Sequence, residues 1–425
     1  MTFNAPPGVF DIIPDSPNDL WRSSFLWTHV ENIARHCAEL FGFSELRTPL
    51  FERQELFQRG VGDATDIVSK EMYTFVDRGN RAMALRPEGT APAIRAYIEN
   101  RLDQQPGQQK LFYLAPMFRY ERAQAGRYRQ HHQFGVEAFG SDAPAQDVEV
   151  IDLLFNFYEN LGIKNLTLNI NTLGDNEGRL VFREKLVSYL EKYSADLSND
   201  SQNRLKINPL RILDSKDPKD QEILQNAPSL FSCLSDASKS NFEQVCNLLK
   251  GINIDYTISP KLVRGLDYYN GVVFEVTSNV LGSQNSIGGG GRYDGLVKKL
   301  GGPNTPSCGF GTGLERIIQT LIAQDSTPPR LPGPRLYLIA LGETAYNFCF
   351  KLMHELRAQN IPVQMDLSNR KLAKSMQFAN SVRAEFTAVV GDNELAENIL
   401  QLKNMSTGES KRVSLEKIPE ILKFA

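Results

Sequence analysis

The chain has 425 residues, more than one ordinary domain, so two or three domains and a large core are expected. Apolar residues make up 41% and charged residues 23%, an ordinary soluble globular composition. The formal net charge of −3 gives no global positive field, so any nucleic-acid contact must come from local basic patches. The five cysteines, Cys37, Cys233, Cys246, Cys308 and Cys349, are scattered without a CxxC pair. That pattern fits a reduced, cytoplasmic chain with buried thiols and no structural zinc. The N-terminal MTFNAPPGVFDIIPDS has neither a basic n-region nor an apolar h-region, so no signal peptide is expected. Apolar runs such as Leu336–Leu341 are far below membrane-spanning length.

A first helix is predicted after Pro17, with Trp21, Phe25, Val30, Ile33 and Cys37 as its apolar positions and Gly42 as its end. SELRTPLFE then reads as a strand in which Pro49 marks an edge or a bend. From Leu111 to Gly140 the chain alternates like two paired strands around the polar AQAGRYRQ. The stretch from about Asp175 to Asp255 is helical in pattern and rich in Lys, Asp, Ser and Asn, and reads as an insertion domain. Leu314, Ile317, Ile318, Leu321 and Ile322 line one face of a helix around Arg316. Pro328, Pro329, Pro332, Gly333 and Pro334 form the clearest linker. Beyond it, RLYLIAL, Tyr346–Gln359, PVQMDL, Lys374–Val382 and FTAVVGD alternate strand and helix, the pattern of a small α/β domain.

Period-two alternation in LFYLAPMFRYE puts Met117, Arg119 and Glu121 on one face and Phe112, Leu114, Phe118 and Tyr120 on the other. In the partner strand His131, Gln133 and Glu137 fall together, with Phe134 and Val136 behind. A hairpin would therefore present Arg119, Glu121, His131, Gln133 and Glu137 on one surface, with Arg122, Arg127 and Arg129 in its loop. A solvated polar sheet face is the competing reading. Four arginines and one acid within the eleven residues Arg119–Arg129 favour an anion such as a nucleotide triphosphate or RNA.

Arg316 lies in the first turn of its helix, where the macrodipole disfavours a cation. Either Glu315 neutralises it locally or a phosphate does. Gly288–Gly291 reads as a flexible turn, and GFGTG before Arg316 as a place of close backbone approach. No Walker or Rossmann glycine pattern explains nucleotide binding, and no His/Cys/carboxylate set has metal-ligand spacing. LVRGLDYYNGVVFEV, residues 262–276, sets Arg264 beside Tyr268 and Tyr269, a cation for phosphate or carboxylate and phenols for a small polar ring.

GFSELRTPLFE, FRYERAQAGRYRQHHQFGVEAFG and GFGTGLERI resemble the three motifs of class II aminoacyl-tRNA synthetases. LRPEGTAP, LVRGLDYYNGVVFEV and GGGGRYDGL narrow the resemblance to the histidyl-tRNA synthetase family, and the likeness runs over nearly the whole chain. It implies an α+β class II core, an antiparallel sheet flanked by helices, with a helical insertion and a C-terminal α/β anticodon-binding domain. The expected divisions are 1–174 for the first part of the core and 175–255 for the insertion. The second part of the core is then 256–327, the linker 328–334 and the anticodon-binding domain 335–425.

The resemblance implies ATP-dependent ligation of L-histidine to its tRNA through a histidyl-adenylate, with Mg²⁺ bound alongside ATP, in a homodimer. Glu88 and Thr90 would hold the α-amino group, and Gln133 would contact the substrate. Glu137 and Tyr269 would pair with the imidazole nitrogens, with Tyr268 and Tyr293 completing the pocket. Arg119 would grip the ATP α-phosphate, Glu121 the adenine and Arg316 the γ-phosphate, with Arg127 also on ATP. Arg264 would bind both the carboxylate and the reacting phosphate. His131 stands where bacterial members often carry Phe, at a position that would stack on adenine. The alternative within this resemblance is a non-catalytic, synthetase-like regulatory subunit of histidine biosynthesis.

Overall fold

The computed structural model describes residues 3–62, 65–121, 127–282, 285–330, 332–368 and 370–424. The chain divides into two units, residues 1–328 and 329–425. Among the described residues the first unit holds strands β1 (Ser44–Glu45), β2 (Phe51–Arg53), β3 (Thr74–Val76) and β4 (Ala82–Leu85). It continues with β5 (Gln109–Phe118), β6 (Gln130–Phe139), β7 (Leu166–Thr172) and β8 (Tyr256–Ile258). Last come β9 (Val272–Ser278), β10 (Ser286–Arg292) and β11 (Ser307–Gly313).

The alternating run from Leu111 is realised as an antiparallel β5–β6 pair in which Leu111 faces Glu137 and Met117 faces His131. This pair belongs to an eight-stranded sheet of order β1-β5-β6-β11-β10-β9-β7-β8. Its interior pairs are antiparallel, while β1 joins β5 and β8 joins β7 in parallel at the edges. Pro49, which cannot donate to a ladder, falls between β1 and β2, and β2 pairs instead with β4 in a separate three-stranded sheet.

Alternate residues of the large sheet face opposite ways. Phe134, Val136 and Ala138 join a buried core with Val30, Leu154, Leu249 and Ile317, which come from helices Ser24–Leu40, Pro144–Asn160, Asp236–Gly251 and Leu314–Ala323. The other face, carrying Gln133 and Glu137, is left for the site. Each fully buried aliphatic side chain on the helical face contributes about 1.5–3 kcal/mol relative to exposure.

The first helix begins at Ser24, later than its sequence suggests, and its buried stripe is Leu26, Trp27, Val30, Ala34 and Cys37. Leu20–Arg22 form a separate 3-10 turn, which leaves Trp21 and Phe25 half-buried at the edge of the core. The glycine run is no flexible turn. Gly288–Gly291 lie inside β10, flanked by β9 and β11. A Cβ at Gly290 would sit 1.9 Å from the carbonyl oxygen of Gly309, so no side chain fits between these strands.

The helical stretch 175–255 contributes to two cores. Phe182, Leu186, Leu190, Ile212 and Leu213 are buried with Tyr268, Tyr269 and Tyr293, while Phe242, Val245 and Leu249 belong to the main helical core.

The second unit builds β12 (Leu336–Ala340), β13 (Val363–Met365), β14 (Phe386–Val390), β15 (Ile399–Asn404) and β16 (Ser410–Ser414) into a sheet of order β13-β12-β14-β15-β16. Helices Glu343–Ala358 and Leu372–Ser381 connect the three parallel strands as their alternation predicts. The antiparallel β15–β16 hairpin extends that α/β pattern. Among the described residues no helix is long and apolar enough to cross a membrane.

Candidate active site

Two cavities adjoin on the open face of the large sheet and share Arg119, Gln133, Arg264 and Gly311 in their walls. The inner one, about 160 Å³, is lined among others by Glu88, Thr90, Tyr113, Glu137, Tyr268, Tyr269 and Tyr293. It falls below the roughly 300–1,000 Å³ that takes a drug-sized ligand. Strand β6 aims Glu137 into it, and a Cβ at Gly309 on the neighbouring strand would lie 2.4 Å from Glu137 Oε2. Glycine at 309 is therefore what leaves space for the carboxylate.

Glu137 is almost completely buried and ringed by hydroxyl donors. Its Oε1 accepts from Thr90 Oγ1 at 2.8 Å and from the Tyr113 hydroxyl at 3.1 Å, and its Oε2 accepts from the Tyr293 hydroxyl. Burial pushes its pKa up to about 8, and the hydroxyl bonds only partly offset that. Tyr268 reaches the same cluster through its hydroxyl, 3.3 Å from Thr90 Oγ1.

Glu88 sits at the N-terminus of helix Thr90–Glu99, where its carboxylate accepts from the backbone N–H groups of Thr90 (2.7 Å) and Ala91 (2.8 Å). The helix dipole and these bonds favour a carboxylate here. Burial outweighs them and raises its pKa. Both oxygens are thereby fixed in direction, with lone pairs left over to accept from a bound ammonium.

The outer cavity, about 220 Å³, is cationic: Arg119, Arg127, Arg264 and Arg316 line it together with Glu121, His131 and Ser286. Arg119 Nε donates to the carbonyl of Pro87 at 2.8 Å, which anchors the guanidinium beside the shared wall. Arg264 Nη1 bonds Glu275 Oε1 at 2.9 Å, and Ser286 Oγ donates to the same oxygen at 2.9 Å. Arg316 Nη1 in turn donates to the Ser286 carbonyl at 2.6 Å. Glu315 is turned away to His132, bonding its backbone N–H at 2.8 Å and lying 3.0 Å from its Nδ1. Arg127 pairs with Glu121 at 3.3 Å.

Burial, with Arg119, His132 and Arg316 nearby, pushes His131 down to about 3, so its imidazole is neutral at physiological pH. Gln133 Oε1 is buried and accepts no bond from a described group, an acceptor in the wall common to both cavities. Such an arrangement can hold an amino acid in the inner cavity and a polyanion in the outer one.

Of the candidate residues named from the sequence, Glu88, Thr90, Glu137, Tyr268, Tyr269 and Tyr293 line the inner cavity, Glu121, Arg127, His131 and Arg316 the outer, and Arg119, Gln133 and Arg264 both. Arg129 lines neither and lies instead over the Tyr120 ring. Arg122 lies outside the described residues. Sequence reasoning missed Tyr113, although it shares the odd-numbered face of β5 with Met117 and its ring fills the space beside Gly89 and Gly135. It also missed Glu275 and Ser286, whose contacts cross between strands, and Arg292. That arginine bonds Asp147 through Nε and Nη2 at 2.9–3.1 Å and so ties the end of β10 to helix Pro144–Asn160, next to Tyr293.

Comparison with known proteins covers the chain almost end to end. The histidyl-tRNA synthetase family model matches residues 24–177 and 179–317, and an anticodon binding domain model matches residues 335–424. The chain is 54% identical over 423 residues to the histidine–tRNA ligase of Protochlamydia amoebophila, covering 100% of both chains. It is 44% identical over 426 residues to that of Bacillus subtilis, covering 100% of this chain and 99% of the relative. The crystal structure of apo S. aureus histidyl-tRNA synthetase superposes with a TM-score of 0.84 at 36% identity, covering 99% of this chain and 100% of that one. Aminoacyl-tRNA synthetases use ATP and typically Mg²⁺. With a family model over residues 24–177 and 179–317, an anticodon binding domain model over 335–424 and full-length relatives at 44–54% identity, the chain belongs to the histidyl-tRNA synthetase family.

Proposed function

We propose that this protein activates L-histidine with ATP and transfers the histidyl group to histidine tRNA. The observation that carries the reading is the shared wall: one set of side chains, Arg119, Gln133 and Arg264, borders both an amino-acid-sized cavity and a cationic one. Histidine fills the inner cavity, its imidazole between Glu137 and Tyr269 with Tyr268 and Tyr293 around it, its ammonium on Glu88, Thr90 and Gln133. A wrong side chain there leaves Glu137 and its hydroxyl donors without a partner, which is a strong basis for rejection. ATP fills the outer cavity, with its α-phosphate on Arg119, its γ-phosphate on Arg316 and its adenine at Glu121 and His131, beside Arg127.

The histidine carboxylate oxygen attacks the α-phosphorus in line, the bond to pyrophosphate breaks, and the adenylate then yields its histidyl group to the terminal ribose of the tRNA. Arg264, at the wall between the two substrates, stabilises the charge that develops, and Arg119 and Arg316 hold the reacting groups in place. Mg²⁺ bound with the triphosphate would supply charge neutralisation for the leaving pyrophosphate. Glu121 in the outer cavity's wall, and Glu275, whose Oε1 bonds the wall residues Arg264 and Ser286, are carboxylates that would be near such an ion.

Residues 175–255 are assigned as the insertion within a core formed by 1–174 and 256–327, and 328–334 as the linker. Residues 335–425 are assigned to anticodon recognition, with Lys371 and Lys374 exposed for RNA and Arg370 partly engaged by Asp366. A cytoplasmic homodimer is the assembly proposed. The exposed apolar side chains of Leu50, Phe51, Phe75 and Val76, on and beside the three-stranded sheet, support it. A regulatory subunit without catalysis would have no use for four arginines around a triphosphate-sized site. The test is charging of histidine tRNA with labelled histidine; absence of charging by folded protein supplied with ATP and Mg²⁺ would reject the proposal.

A further inference from the structure

Residues 259–271 link β8 to β9 with neither helix nor strand among them, yet they carry Arg264, Tyr268 and Tyr269. A segment without its own ladder must be held by its surroundings. Here much of the holding comes from the helical stretch that follows β7. Arg179 Nη1 donates to the carbonyl of Tyr269 at 2.9 Å, and Asn208 Nδ2 donates to Asp267 Oδ1 at 2.8 Å. Arg211 Nη1 reaches Asp66 Oδ2 at 3.4 Å, immediately before Ile67 in the wall of the inner cavity. The apolar side agrees: Tyr268 and Tyr269 are buried in one continuous cluster with Phe182, Leu186 and Leu213.

We infer that the helices of residues 176–213 are the scaffold that sets the geometry of the amino-acid pocket, with Arg179 and Asn208 as positioning residues for Tyr269 and for the Asp267–Tyr268 step. The inference rests on the reading that the inner cavity takes histidine. It adds that the insertion and the pocket are energetically coupled, so histidine binding must stabilise these helices as much as they favour histidine. Tyr269 and Asp267, the residues that Arg179 and Asn208 bond, do not line the outer cavity, and ATP binding is therefore spared.

The test is steady-state pyrophosphate exchange with histidine and ATP varied separately. Arg179→Met keeps the aliphatic stem and removes the donor, and is expected to raise the histidine KM about tenfold, the scale of losing a charged hydrogen bond. The ATP KM and kcat should stay within about twofold, and Arg179→Lys, which keeps a cationic donor, should recover part of the loss. An unchanged histidine KM, or an equal rise in both KM values, would overturn the inference. In the intact protein, histidine should slow amide exchange across Asn199–Ile207 while ATP alone should not; exchange there indifferent to histidine would overturn it without any variant. Wild-type protein without histidine-dependent pyrophosphate exchange would instead sink the synthetase reading on which the inference stands.

Discussion

Replacing Glu137 by Gln separates the two cavities functionally. The wild-type carboxylate accepts from three hydroxyls, those of Thr90 and Tyr113 on Oε1 and that of Tyr293 on Oε2. An amide oxygen in the Oε1 position keeps the first two bonds. Its NH₂ then faces the Tyr293 hydroxyl, which must turn to accept, and an incoming imidazole N–H loses its acceptor. One buried polar group left unpaired costs about 1–3 kcal/mol. Histidine affinity should therefore fall by roughly 5- to 150-fold. ATP affinity should hardly move, because Glu137 does not line the outer cavity. Calorimetry with each ligand alone is the assay, and equal losses for both, or an unchanged histidine affinity, would refute the reasoning. The same variant carries a pH signature. The folded-state pKa of Glu137 is raised from 4.5 to about 8, so the stability of its neutral form is complete below the ordinary carboxylate range and is lost as pH rises through about 8. Glutamine is always neutral, so the wild type should lose stability relative to the variant between about pH 5 and pH 8, read as denaturant midpoints.

Arg264→Ala should lower adenylate formation by about 10²–10³ while leaving the fold intact, as expected for a donor aimed at charge in the transition state; near-wild-type exchange in folded variant would remove Arg264 from the chemistry. Gly311→Ala would set a methyl 1.7 Å from Gln133 Nε2 and force that side chain out of the shared wall. Both KM values should rise together, and a change in only one would show that the wall is not common to the two sites. A chain ending at Thr327 should keep activation and lose most tRNA charging, measured in one preparation checked for folding and oligomeric state; full charging of intact tRNA would contradict the anticodon assignment.

What the sequence disclosed depended on whether the physics was local. Period-two alternation correctly put Gln133 and Glu137 on one face of β6, because strand geometry needs no tertiary information. The parallel strands of the second unit were legible for the same reason. Strand β5 ends at Phe118, so Arg119 reaches the site from just past the strand rather than by alternation. The glycine run was misread as a turn because its cause is the crowding of Gly290 against Gly309, on two strands brought together only by the fold. The start of the first helix was misjudged because Trp21 is apolar enough to extend the stripe, although it sits in a separate turn; Phe25 does lie within the helix. Arg316 announced itself as a cation in a helix first turn, but nothing local says that Glu315 pairs with His132. Ser286, touching Glu275 through its hydroxyl and Arg316 through its carbonyl, was invisible for the same reason.

The central claim is that the inner cavity presents histidine to ATP bound next door. Exchange of labelled pyrophosphate into ATP, run on the purified intact chain with each amino acid in turn, tests it most directly. The account predicts exchange that requires Mg²⁺ and histidine and is negligible with every other amino acid. Folded protein showing no histidine-dependent exchange, or exchanging equally well with another amino acid, would contradict it.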